Sequence, residues 1–164
     1  MSKSPIIGYA GLSHLGINSV AAAAGRGFQV IGFDSDLENI NAISEGHLPV
    51  LETGLNEIIA SNRQRIDFTA DPNMLSRCDV IYVANDVPTD DAGDSDLTSI
   101  HKMISITNAA MRDDALLVIL CQVPPGFTRT VERPRECLYY QVETLIFGSA
   151  VERAMHPERI IVGC

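Results

Sequence analysis

The spacing of apolar and polar positions changes repeatedly along the chain. Short runs rich in β-branched residues alternate with longer segments whose apolar residues recur at helical intervals, which is typical of a parallel sheet joined by crossover helices. We therefore expect an α/β fold with a doubly wound parallel sheet in three α/β/α layers. The short runs predict strands near Pro5 to Ile7, Gln29 to Phe33, Ile66 to Phe68, Val80 to Ala84, Leu116 to Cys121, Leu138 to Val142 and Ile160 to Val162. The longer segments predict helices near Leu12 to Ala24, Leu37 to Ser44, Leu55 to Ser61, Leu97 to Met111 and Gly148 to Ala154.

The size of the chain fits a single domain over residues 1–164, with 46% hydrophobic and 20% charged residues. Folding at this length buries roughly two thirds of the surface of the unfolded chain.

The longest nearly unbroken apolar run, Ala115 to Cys121, is far shorter than the roughly 20 residues of a membrane-spanning helix. Met1 to Ile7 lack the apolar core of a secretory signal, so we expect a cytoplasmic location.

The charge balance is acidic: 12 Lys and Arg against 21 Asp and Glu give a formal charge of −9. An acidic surface repels phosphate backbones and anionic headgroups, which argues against nucleic-acid and membrane partners. Any anionic ligand has to be held by local groups.

The residue types that commonly bind metals are not spaced for that purpose. The four cysteines include no C-x-x-C pair, and the four histidines form no i, i+4 pair. The aspartates at positions 86, 90, 91, 94 and 96 do not follow the spacing of a calcium-binding loop. We therefore expect reduced, mostly structural cysteines, a solvated acidic loop and no metal site.

A glycine-containing turn follows the first predicted strand. The segment Gly8-Tyr9-Ala10-Gly11-Leu12 leads into a helix, and the second predicted strand ends at Asp34. Rossmann-like domains hold a dinucleotide in this context: amides at the helix start bind the pyrophosphate, and the carboxylate binds the ribose hydroxyls. The pattern predicts NAD instead of NADP, because Asp34 would repel a 2′-phosphate. The alternative is a plain βα turn, since the first glycine of G-x-G-x-x-G would fall at Ile6.

Four further segments follow that turn: E-G-H-L-P-V-L-E-T-G-L at residues 45–55, Pro88-Thr89 with Gly93, V-P-P-G at residues 123–126, and H-P-E-R-I-I-V-G at residues 156–163. Together with Gly8 to Leu12, they resemble the UDP-glucose/GDP-mannose dehydrogenase family. Its members have a G-Y-V-G-L turn, N-x-G-x-x-P-[IV]-x-E-P-G-L, a T-P-T loop, S-T-V-P-P-G-T and H-P-[DE]-R-I-V-I-G in this order.

The resemblance implies the NAD-binding domain of a nucleotide-sugar 6-dehydrogenase, an enzyme that oxidises the C6 alcohol of a UDP- or GDP-sugar to a carboxylate. It implies that Gly8 to Leu12, Asp34, Pro88 and Thr89 bind NAD and that a nucleotide sugar is the substrate. In the family, a central helix and a second domain with a nucleophilic cysteine follow this region. We therefore expect the chain to be incomplete for catalysis, and to be a monomer or a weak homodimer.

Several positions depart from the family pattern. Asp86 and Val87 replace the Gly-Thr that precedes Pro-Thr, and Gln122 replaces a hydroxyl residue before V-P-P-G. Phe147 replaces a glutamate, whereas the neighbouring Glu143 is retained. The resemblance makes Glu143 the candidate catalytic residue, as a base or a water-positioning group, with an ordinary structural glutamate as the alternative. Asn39 stands near the place of a basic residue that usually follows the second-strand aspartate.

Two other functions stay open. The missing first glycine and the departures favour a stand-alone, non-catalytic dinucleotide-binding or regulatory protein. Another NAD(P) oxidoreductase, such as a hydroxyacid dehydrogenase, would share the fold but would not explain the V-P-P-G segment or residues 156–163.

Overall fold

The computed structural model describes residues 4–89, 91 and 95–164. Its helices and strands alternate as the sequence pattern predicts, with short 3-10 turns in several connections. The elements are β1 Ile6–Ala10, α1 His14–Gly25, β2 Gln29–Phe33, α2 Leu37–Ser44, α3 Leu55–Ser61, β3 Ile66–Thr69, β4 Val80–Val83, α4 Thr98–Ala110, β5 Leu116–Ile119, β6 Leu138–Gln141, α5 Ala150–Met155 and β7 Val162–Gly163.

The strands form a seven-stranded sheet in the order β3-β2-β1-β4-β5-β6-β7. The first six strands are parallel, in the 3-2-1-4-5-6 order of a doubly wound fold, which confirms the expected fold class. After β1, the chain adds β2 and β3 on one side of that strand. It then adds β4, β5 and β6 on the opposite side of β1, so the strand order reverses between β1 and β4. In such sheets ligands bind at this reversal, beyond the carboxyl ends of the strands.

The last strand differs from its prediction. A strand near Ile160 to Val162 was expected in the parallel sheet, but β7 is only Val162–Gly163 and runs antiparallel to β6. The connection accounts for this direction: residues 142–161 leave β6 and enter β7 at the same end of the sheet, so the two strands pair antiparallel. This connection includes the short helix α5, which packs against α1.

Helix α1 is central to one face of the sheet, where it contacts α3 and α5. Every residue from His14 to Ala24 is buried, and the small side chains of Ala21 to Ala24 allow close packing on the strands. Helix α4 packs instead with the 3-10 turn Pro72–Arg77. Right-handed crossovers on the two sides of β1 place α1 and α4 on opposite faces, which produces the three layers. Within the described residues, no helix is long and apolar enough to cross a membrane.

The four cysteines occupy different environments. Cys78 and Cys121 are buried, Cys137 is partly exposed and Cys164 is exposed. Burial raises the pKa of the Cys78 and Cys121 thiols to about 12. At neutral pH both therefore behave as small apolar side chains.

We expect Cys78 and Cys121 in the native chain to react with a thiol reagent at pH 8 about a thousandfold more slowly than Cys164, because the thiolate is the reactive form. Labelling followed by peptide mass spectrometry measures the four rates, and unfolding in urea is the control that should equalise them. Native labelling of Cys78 at the rate of Cys164 would contradict the packing described above.

Candidate functional site

The turn between β1 and α1 comprises Gly11, Leu12 and Ser13. Gly11 has a φ of +96°, and its amide donates to the carbonyl of Phe33 at 2.9 Å. In the first turn of α1, a Cβ on Gly16 would lie 1.8 Å from the carbonyl oxygen of Gly11. These glycines meet two requirements of a dinucleotide-binding turn, a sharp bend at the first glycine and close packing of the helix at the third. The glycine pattern of this site is therefore G-x-S-x-x-G, from Gly11 to Gly16.

The location predicted for Gly8, Tyr9 and Ala10 is wrong, because they lie inside β1 and not in the turn. Gly8 pairs with Ile31 and Ile81, and a Cβ on it would lie 2.9 Å from Sγ of Cys78. The strand continues to Ala10 because its residues are apolar and buried. The five-residue interval between Gly11 and Gly16 was the signal in the sequence that could have located the turn.

Tyr9 is a core residue. Its ring stacks on Tyr82 with 5.1 Å between the ring centroids, and burial raises the pKa of its hydroxyl. The Tyr82 hydroxyl contributes a smaller part of that increase.

Asp34 lies beside the turn, as predicted. Its Oδ2 accepts hydrogen bonds from the amide of Leu12 at 2.9 Å and from Nδ2 of Asn39 at 3.2 Å, while Oδ1 accepts from the amide of Asp36 at 3.0 Å. A carboxylate offers about four lone-pair sites, so one remains for a ribose hydroxyl. Asn39 thus donates to Asp34 from near the position where a basic residue was expected. This part of the site fits the adenine ribose of NAD.

Asp86, in the loop after β4, caps the beginning of α1. Its Oδ2 accepts from the amide of His14 at 2.9 Å, and Oδ1 accepts from the amide of Leu15 at 3.3 Å. The amide of Asp86 in turn donates to Oγ of Ser13 at 2.9 Å. Ser13 makes no side-chain cap of its own, so a carboxylate from a distant loop satisfies two of the unpaired amides of the helix. The sequence analysis placed Asp86 in a solvated acidic loop and among the departures from the family pattern, and did not predict that it caps α1.

The amides of Gly8 to Leu12, expected to bind phosphate, already have other partners. Gly8, Tyr9 and Ala10 belong to a strand that pairs on both sides, and Gly11 and Leu12 donate to Phe33 and Asp34. At the start of α1, the position that suits an anionic group is occupied by the carboxylate of Asp86. The pyrophosphate end of the site therefore does not fit NAD as readily as the ribose end.

His14 connects the start of α1 to two loops. Its Nε2 donates to Oε1 of Glu52 at 2.7 Å, and its ring stacks on Phe147 with 4.1 Å between centroids. Glu52 also accepts from the amides of Gly148 at 2.9 Å and Ala150 at 3.4 Å, and its side chain is 1% exposed. Burial alone would raise the pKa of the Glu52 carboxyl, but the hydrogen bonds from His14, Gly148 and Ala150 outweigh it and lower that pKa. Phe147, the residue that replaces a family glutamate, thus covers the imidazole.

Glu143 and Gln122 follow neighbouring strands and meet at the carboxyl edge of the sheet. Nε2 of Gln122 donates to Oε2 of Glu143 at 3.4 Å, and the amide of Leu145 donates to Oε1 of the same carboxylate. The structure brings these two candidates together. A catalytic role for Glu143 stays a prediction.

Pro88 and Thr89 lie in the exposed loop after Asp86, where Oγ1 of Thr89 is 3.1 Å from Oγ of Ser95. Gly93, assigned to the same motif, and the acidic residues Asp90 and Asp94 lie outside the described residues. In the part of the chain that the structure describes, no group of three or more His, Cys, Asp or Glu side chains could hold a metal ion.

The chain is similar in sequence to members of one known family. Residues 6–164 match the sequence model of the UDP-glucose/GDP-mannose dehydrogenase family, NAD binding domain. UDP-glucose 6-dehydrogenase of Rhizobium meliloti is 29% identical over 165 residues, which cover 93% of this chain and 38% of that protein. The chain spans between 18% and 38% of the length of the first curated relatives it matches.

Solved structures show the same fold. GDP-mannose dehydrogenase from Pseudomonas aeruginosa superposes with a TM-score of 0.85 at 25% identity, over 96% of this chain and 40% of that one. A UDP-glucose dehydrogenase from Pyrobaculum islandicum has a TM-score of 0.86 at 24% identity, over 99% of this chain and 41% of that one.

Replacing Gly16 by alanine should lower the free energy of unfolding by about 3 kcal/mol, because the added Cβ would collide with the Gly11 carbonyl. Gly25→Ala in the same helix is the matched control. Its Cβ would meet the flexible end of Met155 at 3.2 Å and Cγ2 of Ile58 at the ordinary contact distance of 3.4 Å, so we expect a change below about 1 kcal/mol. Urea unfolding followed by circular dichroism measures both, and equal stabilities of the two variants would contradict the tight contact between Gly16 and the turn at Gly11.

Glu52 should contribute to acid sensitivity. Its folded pKa lies below the unfolded value of roughly 4.3, so its stabilisation is complete above that pH and is lost as pH falls through the folded pKa. Glu52→Gln should lower the unfolding free energy at pH 7 by about 1–3 kcal/mol and reduce its dependence on pH below 5. Glu57→Gln, at an exposed position of α3, is the control. Parallel pH profiles for wild type and Glu52→Gln would show that the buried carboxylate is not responsible.

Proposed function

Because this chain belongs to the UDP-glucose/GDP-mannose dehydrogenase family and matches its NAD-binding domain, we propose that it binds NAD at the carboxyl edge of its sheet as part of a nucleotide-sugar 6-dehydrogenase. The observation that carries this proposal is the position of Asp34 beside the Gly11-to-Gly16 turn, next to the point where the strand order reverses.

In this proposal each part of the turn has a separate task. Asp34 binds the adenine ribose through its carboxylate and disfavours NADP by charge repulsion. Gly11 and Gly16 let α1 begin directly after the turn that follows β1, so that the positive end of the helix points toward the carboxyl edge. Pro88 and Thr89, in the loop after β4, are proposed as further contacts to the cofactor.

The proposed reaction is the oxidation of the C6 alcohol of a UDP- or GDP-sugar to a carboxylate. The conversion removes two hydrides from the C6 carbon, so two NAD molecules, bound in succession, would accept one hydride each, and water would supply the second oxygen of the carboxylate. Glu143 is the candidate to hold a water molecule or to take a proton at this edge, and its two hydrogen bonds, from Gln122 and Leu145, fix the direction of its carboxylate. We assign the sugar pocket and the nucleophile for the second oxidation step to no residue of this chain.

The capping carboxylate of Asp86 favours a second candidate, a non-catalytic dinucleotide-binding or regulatory protein. NAD reduction assayed with UDP-glucose and GDP-mannose, followed by absorbance, separates the two candidates. Turnover supports the dehydrogenase, whereas NAD binding without turnover of any nucleotide sugar by the full-length protein supports the second candidate.

We expect titration calorimetry to show NAD binding with a preference over NADP, and Asp34→Ala to weaken NAD binding about tenfold or more because hydrogen bonds to the charged carboxylate are lost. Asp34→Asn keeps the shape and part of the hydrogen bonding but removes the charge, so it should narrow the preference for NAD over NADP.

Asp67→Ala is the matched control, because this exposed aspartate on β3 pairs with Arg77 away from the turn. It should leave both affinities unchanged. An unaltered NAD-to-NADP ratio in folded Asp34→Asn would contradict the role of Asp34, and absence of dinucleotide binding by the wild type would refute the proposal.

A further inference from the structure

Asp86 places a carboxylate of the chain where a Rossmann-like domain meets the pyrophosphate of its ligand. The amides of His14 and Leu15 open helix α1 directly after the glycine turn, and both donate to Asp86. Amides at this position bind a dinucleotide pyrophosphate in domains of this architecture. Resting on the proposed function, we propose that Asp86 is an internal competitor of the ligand phosphate, so that NAD binds only when Asp86 leaves these two amides.

Ser13 holds Asp86 in this position. It occupies the second glycine position of the pattern, where the backbone usually comes closest to the pyrophosphate. Its Oγ accepts a hydrogen bond from the Asp86 amide at 2.9 Å, in addition to the two bonds that the carboxylate accepts. Three hydrogen bonds therefore join the β4 loop to the start of α1, and two of them use atoms that a phosphate would need.

The charge of Asp86 is balanced mainly by the helix. In the described part of the chain, no Lys, Arg or His forms an ion pair with Asp86, and the first turn of α1 includes no acidic residue that would compete for these amides. A phosphate entering beside Asp86 would meet a like charge that no cationic side chain neutralises, in a chain of net charge −9. Asp86 therefore lowers the affinity for phosphate-bearing ligands and leaves the affinity for an uncharged nucleoside unchanged.

Asp86→Asn tests this competition, because it removes the charge and retains an acceptor for the helix amides. By calorimetry we expect NAD to bind this variant about tenfold more tightly than the wild type, since removal of a like charge favours the anion. Adenosine, which has no phosphate, should bind both equally. Inorganic pyrophosphate should raise the melting temperature of Asp86→Asn and leave that of the wild type unchanged.

Asp71→Asn is the matched control. Asp71 also caps a turn, through the amide of Asn73 at 3.0 Å, and its replacement changes the net charge equally. It should not alter NAD affinity. Asp86→Ser, whose hydroxyl can also cap a helix, provides a second variant if the asparagine variant is unstable.

The outcomes separate the competition from the proposed function. Equal NAD affinity in wild type and both Asp86 variants, with no effect of pyrophosphate, would overturn the competition and leave NAD binding intact. Weaker NAD binding by the variants would overturn it as well, because the carboxylate would then assist the ligand. Stabilisation of Asp86→Asn by pyrophosphate, with no NAD binding by any variant, would support the competition and refute the proposed function.

Discussion

The close approach of α1 to the turn that follows β1, between Gly16 and the carbonyl of Gly11, is the constraint on which the carboxyl edge of this sheet depends. No side chain fits between the Gly11 carbonyl and Gly16, so the helix begins directly after the turn. This position buries every residue from His14 to Ala24 and lets α3 and α5 pack on the same helix. The start of α1 is consequently fixed relative to the ends of β2 and β4, whose loops provide Asp34 and Asp86.

Three carboxylates converge on that helix start. Asp34 accepts from the turn, Asp86 accepts from the first helical amides, and Glu52 accepts from the imidazole of His14. In a chain with 21 acidic and 12 basic residues, backbone amides, the Asn39 side chain and one histidine donate to these carboxylates, and no arginine or lysine of the described residues forms an ion pair with them. The same backbone amides provide the electrostatic stabilisation that an anionic ligand requires. The carboxylates of the folded chain and an anionic ligand therefore need the same hydrogen-bond donors.

The fold that this chain shares with its family is distinct from the residues that determine what the start of α1 can bind. A TM-score of 0.85 at 25% identity shows that the layered sheet is retained while most side chains differ. Ser13 stands at a glycine position of the dinucleotide-binding pattern, and its hydroxyl accepts a hydrogen bond from the amide of Asp86 in the loop after β4. Such a pair changes what the helix start can bind without changing the fold that positions it.

The sequence by itself determined the order of strands and helices, because hydrophobic periodicity is a local property. The predicted bounds of β2, α2 and α3 equal the observed ones, and Asp34 lies at the end of β2 as expected. The interval between Gly11 and Gly16 was a sequence signal for the turn, which the structure places at Gly11 instead of Gly8. Only the tertiary structure decided that β7 runs antiparallel and that Asp86 caps α1. His14 and Asp86 are 72 residues apart in the chain, and His14 and Glu52 are 38 apart. A local sequence pattern cannot predict which amide donates to which carboxylate, because these hydrogen bonds form only when the sheet brings the ends of its strands together.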